Sequence, residues 1–167
     1  KIELMRKPCE IVRDVLCLCE EKIRAGMTTK ELDKIAYDYI TSCGATPSFL
    51  GYGGFPAATC ISIDEQVVHG FPSGRIIEED QIVSVDVGAF FNGFHGDAAR
   101  SLYVGHISPE KKKLIDVTRE CFFEGIKGIC IGSALGDIGA QVQEHAEKNG
   151  FSVVRDMVAR LFQEQRR

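Results

Sequence analysis

The stretch Ile82–Tyr103, IVSVDVGAFFNGFHGDAARSLY, constrains the fold more than any other. It opens on a β-branched run, Ile82 to Val87, and carries Asn92-Gly93, a strong two-residue turn signal between extended segments. Each arm holds a carboxylate, Asp86 and Asp97. Aspartate is disfavoured inside a strand, and burying its charge is costly, so another interaction must offset both.

Side chains alternate along a strand, which turns the spacing into a test. With Asn92-Gly93 as a two-residue loop, Asp86 faces Ala99 and Asp97 faces Gly88, a diagonal pair about 7–8 Å apart. With a four-residue loop, Phe90 to Gly93, the two acids stand directly opposite, about 5 Å apart. Either register places both on one face, among the small residues Ser84, Gly88, Ala99 and Ser101. Carboxylates this close repel unless a proton or a cation lies between them. One reading is a pair of divalent ions, which carboxylates bridge at about 3.5–4 Å separation. The other is a solvated outer face of a plain hairpin.

The rest of the chain predicts a mixed α/β domain. Apolar residues from Met5 to Ile23 recur at helical spacing, with Pro8 near the start, and Gly26 ends the helix. Thr28 and Glu31 have capping-box spacing for a second helix with Leu32, Ile35, Ala36, Tyr39 and Ile40 as its buried stripe and Gly44 at its close. Pro47 to Pro56 alternates glycine, proline and aromatics, which suits either an apolar pocket wall or a loop pinned by its rings. Thr59–Ile63 reads as a strand, Asp64-Glu65 as a turn, and Gln66–Val68 as a second short strand leading to His69-Gly70. His69 at a strand end is placed to reach a site; an ordinary hydrogen-bonded histidine is the alternative. His95 falls on the side of Asp97 and is a second candidate. Helices follow from Pro109 to about Lys127, with Leu114, Ile115, Val117, Cys121 and Phe122 apolar, and again through Ile138, Val142, His145 and Ala146. Phe151–Arg155 begins a strand.

A net charge of −4 argues against a general nucleic-acid surface, and Lys111–Lys113 reads as a solvated helix face. No apolar run approaches membrane length. Seven cysteines, an odd number without a C-x-x-C pair, fit neither a zinc ribbon nor a disulfide framework. They read mostly as small buried hydrophobes in a reducing cytoplasm.

Five motifs in order, Gly51-Tyr52-Gly53-Gly54-Phe55-Pro56, Cys60 to Glu65, Val68-His69-Gly70, Ser84 to Gly88, and Gly93-Phe94-His95-Gly96-Asp97, resemble type I methionine aminopeptidase. The resemblance implies an α/β (α+β) pita-bread fold closing over two divalent ions, cobalt, manganese, iron or zinc. It implies removal of the initiator methionine from nascent chains when the second residue is small. Asp86 and Asp97 match metal ligands, with Asp97 bridging. His69 matches the histidine that contacts the substrate and stabilises the transition state. Phe49, Tyr52, Phe55, Cys60 and His69 match substrate-binding positions. Implied partners are the N-terminal methionine of nascent peptides and a transient ribosome contact, with no membrane and no specific nucleic acid.

The family pattern has three more ligands downstream, one His and two Glu. Where a Gly-His-Gly is expected, this sequence reads Val158-Ala159-Arg160-Leu161. Residues 1–158 therefore correspond to the N-terminal two-thirds of the catalytic domain, and residues 159–167 form an atypical tail resembling a shifted reading frame. Two carboxylates alone make a weak metal site. The expectation divides between an aminopeptidase completed elsewhere and an inactive fragment or pseudoenzyme that keeps the fold and a peptide groove, its metal positions unfilled. A proline-specific aminopeptidase of the same fold fits the Tyr52–Pro56 loop less well. The missing half would leave apolar surface exposed, which predicts dimers or aggregation.

Overall fold

The computed structural model describes residues 1–154. They fall into two compact units, Lys1–Ser108 and a second starting at Pro109. The first contains α1 (Ile2–Lys22), α2 (Thr29–Ser42), β1 (Thr46–Pro47), β2 (Thr59–Ile63), β3 (Ile82–Phe91) and β4 (Phe94–Tyr103). The second contains α3 (Pro109–Lys127) and α4 (Leu135–Lys148).

β3 is the centre of an antiparallel sheet. It pairs with β4 along its whole length and with β1 and β2 on its other edge. Phe91 pairs with Phe94, so Asn92 and Gly93 are the loop. Their φ values of 48° and 83° are those of a type I′ turn, whose twist matches the strands it joins. The four-residue alternative does not occur, because Phe90 stays in the ladder opposite His95.

One face of the sheet is dry. Val83, Val85, Val87 and Ala89 of β3, Ile61 and Ile63 of β2 and Leu102 of β4 pack with Ile11, Val12, Val15, Leu16 and Cys19 of α1 and Leu32, Ala36 and Ile40 of α2. α1 begins at Ile2 and carries Pro8 within it, buried. Where α1 meets β4 the two backbones touch: a Cβ on Gly96 would lie 2.5 Å from the Pro8 carbonyl. α2 has the expected capping box, with the Thr28 N–H donating to Glu31 Oε2 (2.7 Å) and the Glu31 N–H donating to Thr28 Oγ1 (3.2 Å). Asp33 of α2 reaches the start of β2, where it accepts the Thr59 N–H (2.8 Å) and hydroxyl (2.7 Å).

In the second unit, α3 and α4 approach closely at Gly125, where a Cβ would lie 2.8 Å from Val142 Cγ2. Val117, Cys121 and Ala146 are buried, with Val142, Phe151 and Val153 packed around them. Of the apolar residues of α3, Val117 and Cys121 are buried, while Leu114 and Phe122 are exposed. His145 points its Nε2 at Glu120 Oε2, 3.0 Å away.

Three further expectations need correction. Gln66–Val68 is not a strand. The turn at Asp64 and a positive φ of 57° at His69 break the extended run, Val67 and Val68 are exposed, and β2 takes its contact from Gly70 instead. Phe151–Val154 has no strand either; the chain follows the end of α4, and the Phe151 ring sits beneath the Lys113 ammonium at 5.3 Å. The cysteines are not mostly buried: Cys19, Cys60 and Cys121 are, Cys43 is intermediate, and Cys9, Cys17 and Cys130 are exposed. Arg155 and the tail 159–167 lie outside the described residues.

Candidate functional site

The polar face of the sheet carries the candidate chemistry. In the register of β3 and β4, Asp86 faces Ala99, and Asp97 faces Gly88. The carboxylates thus project from one face on diagonal positions, about 7–8 Å apart at the backbone. Cys60 of β2 pairs with Asp86 from the other side, and Ser84 and Ser101 hydrogen-bond across the floor at 3.0 Å. Loss of hydration against the sheet, then the negative charge of Asp97, pushes Asp86 above the usual carboxylate range, while His69 and the Val87 N–H pull it back. Asp97 is raised by loss of hydration and pulled back by His95. Burial, followed by the charges of Asp86, Asp97 and Asp33, pushes the Cys60 thiol up to about 11. It is a neutral wall at physiological pH, not a nucleophile.

His69 lies within electrostatic reach of Asp86 on a strained backbone. The strain is held by its neighbour. Gly70 donates its N–H to Ser62 Oγ (3.1 Å) and accepts the Ile61 N–H (2.9 Å). A Cβ on Gly70 would lie 2.2 Å from the Ile61 carbonyl oxygen, so only glycine approaches β2 this closely.

The aromatics form a row beside this face. Phe49 packs over Gly88, where a Cβ would meet its Cε1 at 2.7 Å. Phe49 and Phe55 make an edge contact at 6.4 Å, and Phe55 meets Phe71 at 5.2 Å. Tyr52, on a 3₁₀ turn, is 82% exposed. The structure therefore brings Asp86, Asp97, His69 and Cys60 together and sets Phe49 and Phe55 as one wall, with Tyr52 out in solvent.

The profile of Metallopeptidase family M24 matches residues 3–162. The chain belongs to that family. It is similar to the methionine aminopeptidase of Clostridium perfringens, 52% identical over 158 residues, which covers 95% of this chain and 64% of that protein. It is similar also to methionine aminopeptidase 1 of Bacillus subtilis, at 40% identity and the same coverage. This M24 chain thus spans 64% of the length of these curated relatives. Among solved structures it resembles the methionine aminopeptidase from Thermotoga maritima, with a TM-score of 0.89, 39% identity, and 92% and 62% of the two chains covered. X-Pro aminopeptidase from the same organism gives 0.74 at 22% identity, a likeness of fold alone. The fold is the pita-bread α/β architecture these enzymes share.

Membership of M24 implies divalent metal, and the residues present fit it in part. Two oxygen donors share one face, each held toward its neutral form by dehydration, a penalty that a cation would relieve. Among the described residues no group of three or more His, Cys, Asp or Glu is placed to hold a metal ion. The pair is therefore one side of a shell, since transition-metal sites generally take three or more protein ligands.

Two contributors were not read from the sequence. Phe71 extends the aromatic row, although it is 63% exposed. Ser48 donates to or accepts from His95 Nδ1 at 2.9 Å, a link across 47 residues that no local pattern announces.

Proposed function

We propose that the protein to which this M24 chain contributes removes the N-terminal methionine of nascent peptides by metal-dependent hydrolysis. The observation carrying this reading is the shared face of Asp86 and Asp97, where partial loss of hydration raises both carboxyls and the charge of Asp97 raises Asp86 further. Asp86 and Asp97 would hold divalent ions, cobalt, manganese, iron or zinc. Bound there, divalent ions would polarise the scissile carbonyl and acidify water near neutral pH. His69 would donate a hydrogen bond where charge develops on the substrate. Phe49, Phe55 and Cys60 would enclose the methionine side chain, with Tyr52 at its solvent edge, and crowding at the carboxylates would favour a small second residue. Residues 1–158 would be the portion of the catalytic domain that carries these groups, acting in the cytoplasm with a transient ribosome contact. No helix of the described residues is long and apolar enough to cross a membrane.

A second reading is favoured by one observation, the absence of a third ligand among the described residues. In it the 167-residue chain alone is a non-catalytic fold that retains a peptide groove. Exposed Phe122, Phe123, Ile126 and Ile131 would then favour self-association. Metal analysis with cleavage of a Met-Ala-Ser peptide separates the readings. About two ions per chain, with methionine release abolished in Asp97→Ala, supports the enzyme; no metal and no release supports the second.

A further inference from the structure

We propose that His95 is a positioning residue, holding the Phe49 wall down on the strand that carries Asp86 through its hydrogen bond to Ser48. The inference rests on the reading of Phe49 as the wall of a methionine pocket. β1 is only two residues long, pairing Thr46 with Phe90 and Pro47 with Ala89. The backbone tie ends one residue later, with the Ser48 N–H donating to the Gly88 carbonyl at 2.9 Å. From Phe49 the chain leaves the sheet and turns at Gly51, where φ is 83°. At this point of departure Ser48 Oγ and His95 Nδ1 lie 2.9 Å apart. The imidazole is itself braced, its ring 4.7 Å from that of Phe90, its cross-strand partner. Beneath the link, Gly88 leaves room for Ser48 Cβ and Phe49 Cε1, which a Cβ there would meet at 2.8 and 2.7 Å. Gly88 is also the residue opposite Asp97. One clamp thus sets the height of the apolar wall over the strand pair that carries both acids.

The test is binding of L-methioninamide to the purified 167-residue chain, followed by NMR titration. His95→Ala and Ser48→Ala each weaken binding by roughly 2- to 10-fold, the range of one neutral hydrogen bond. The double variant is no weaker than either single, and His95→Asn, whose amide nitrogen replaces Nδ1, recovers most of the loss. Unchanged affinity in His95→Ala, or losses that add in the double variant, overturns the proposal, and a fall in thermal midpoint with affinity unmoved marks a merely structural contact. Failure of the wild-type chain to bind methioninamide defeats the pocket reading instead. The clamp is then judged by hydrogen exchange at the Ser48 N–H: faster in His95→Ala and restored in His95→Asn sustains it, and no change overturns it.

Discussion

In the first unit α1 and α2 cover one face of the sheet with a continuous set of buried side chains from Ile11 to Leu102. The second unit, with two helices of similar length, buries Val117, Cys121 and Ala146 and leaves Phe122, Phe123, Ile126 and Ile131 in water. A sheet with one fully covered face can leave the other polar, because alternation assigns each β3 residue to packing or to chemistry. A helix pair has no such division, and its apolar stripe is wider than the contact it makes. The first unit should therefore carry most of the stability and the candidate site, and the second should tolerate change.

The contrast can be broken by matched truncations. Ile61→Ala is expected to cost about 2–5 kcal/mol in urea unfolding. Val117→Ala, in a thinner core that collapses more easily, is expected to cost less than about 2 kcal/mol. Equal costs would end the comparison. Gly70→Ala drives a Cβ into the Ile61 carbonyl; a loss of about 1–3 kcal/mol is expected, with shifted resonances at His69 and Ser62.

Asp33→Ala strands the buried Thr59 N–H and hydroxyl and is expected to cost about 1–3 kcal/mol at neutral pH. Burial raises the Asp33 carboxyl above its ordinary value, against the hydrogen bonds of Thr59 and Ala58. A raised folded-state pKa means a contribution present below the ordinary carboxylate value and lost as pH rises through the raised one. Asp33→Asn should flatten that part of the stability curve. The same sign holds for Asp86 and Asp97 in metal-free protein: stability falls as pH rises through the carboxylate range, and Asp97→Asn or added divalent cation reduces the fall. A curve unaffected by either would remove the case for repulsion between the pair. Smallest of all, Phe122→Ala should change stability by no more than about 0.5 kcal/mol; thermal scans at two protein concentrations would show whether its ring is buried by self-association.

The hairpin, the capping box and the shared face of Asp86 and Asp97 were legible because each follows from spacing within one short stretch of chain. The loop length was not: Phe90 and Phe91 fit a strand or a turn, and only pairing with His95 and Phe94 decided it. Gln66–Val68 misled because β-branched composition reports a preference for extended backbone, whereas the partner edge of β2 accepted only Gly70. Phe71 and Ser48 owe their places to contacts distant in sequence, which no periodicity encodes. The burial of the cysteines failed for a different reason, because composition was read ahead of helix phase. Cys17 and Cys19 sit two apart on α1, so one faces the sheet and the other faces water.

Gly96 sits between His95 and Asp97 but faces the opposite side, where the Pro8 carbonyl leaves no room for a side chain. The run Phe94-His95-Gly96-Asp97 is thus two messages interleaved, one addressed to the open face and one to a helix nearly ninety residues earlier. Grafted onto a hairpin without a helix at backbone distance, the same four letters would keep their order and lose half their meaning. A search for this chemistry in other proteins would do well to ask for the helix along with the string.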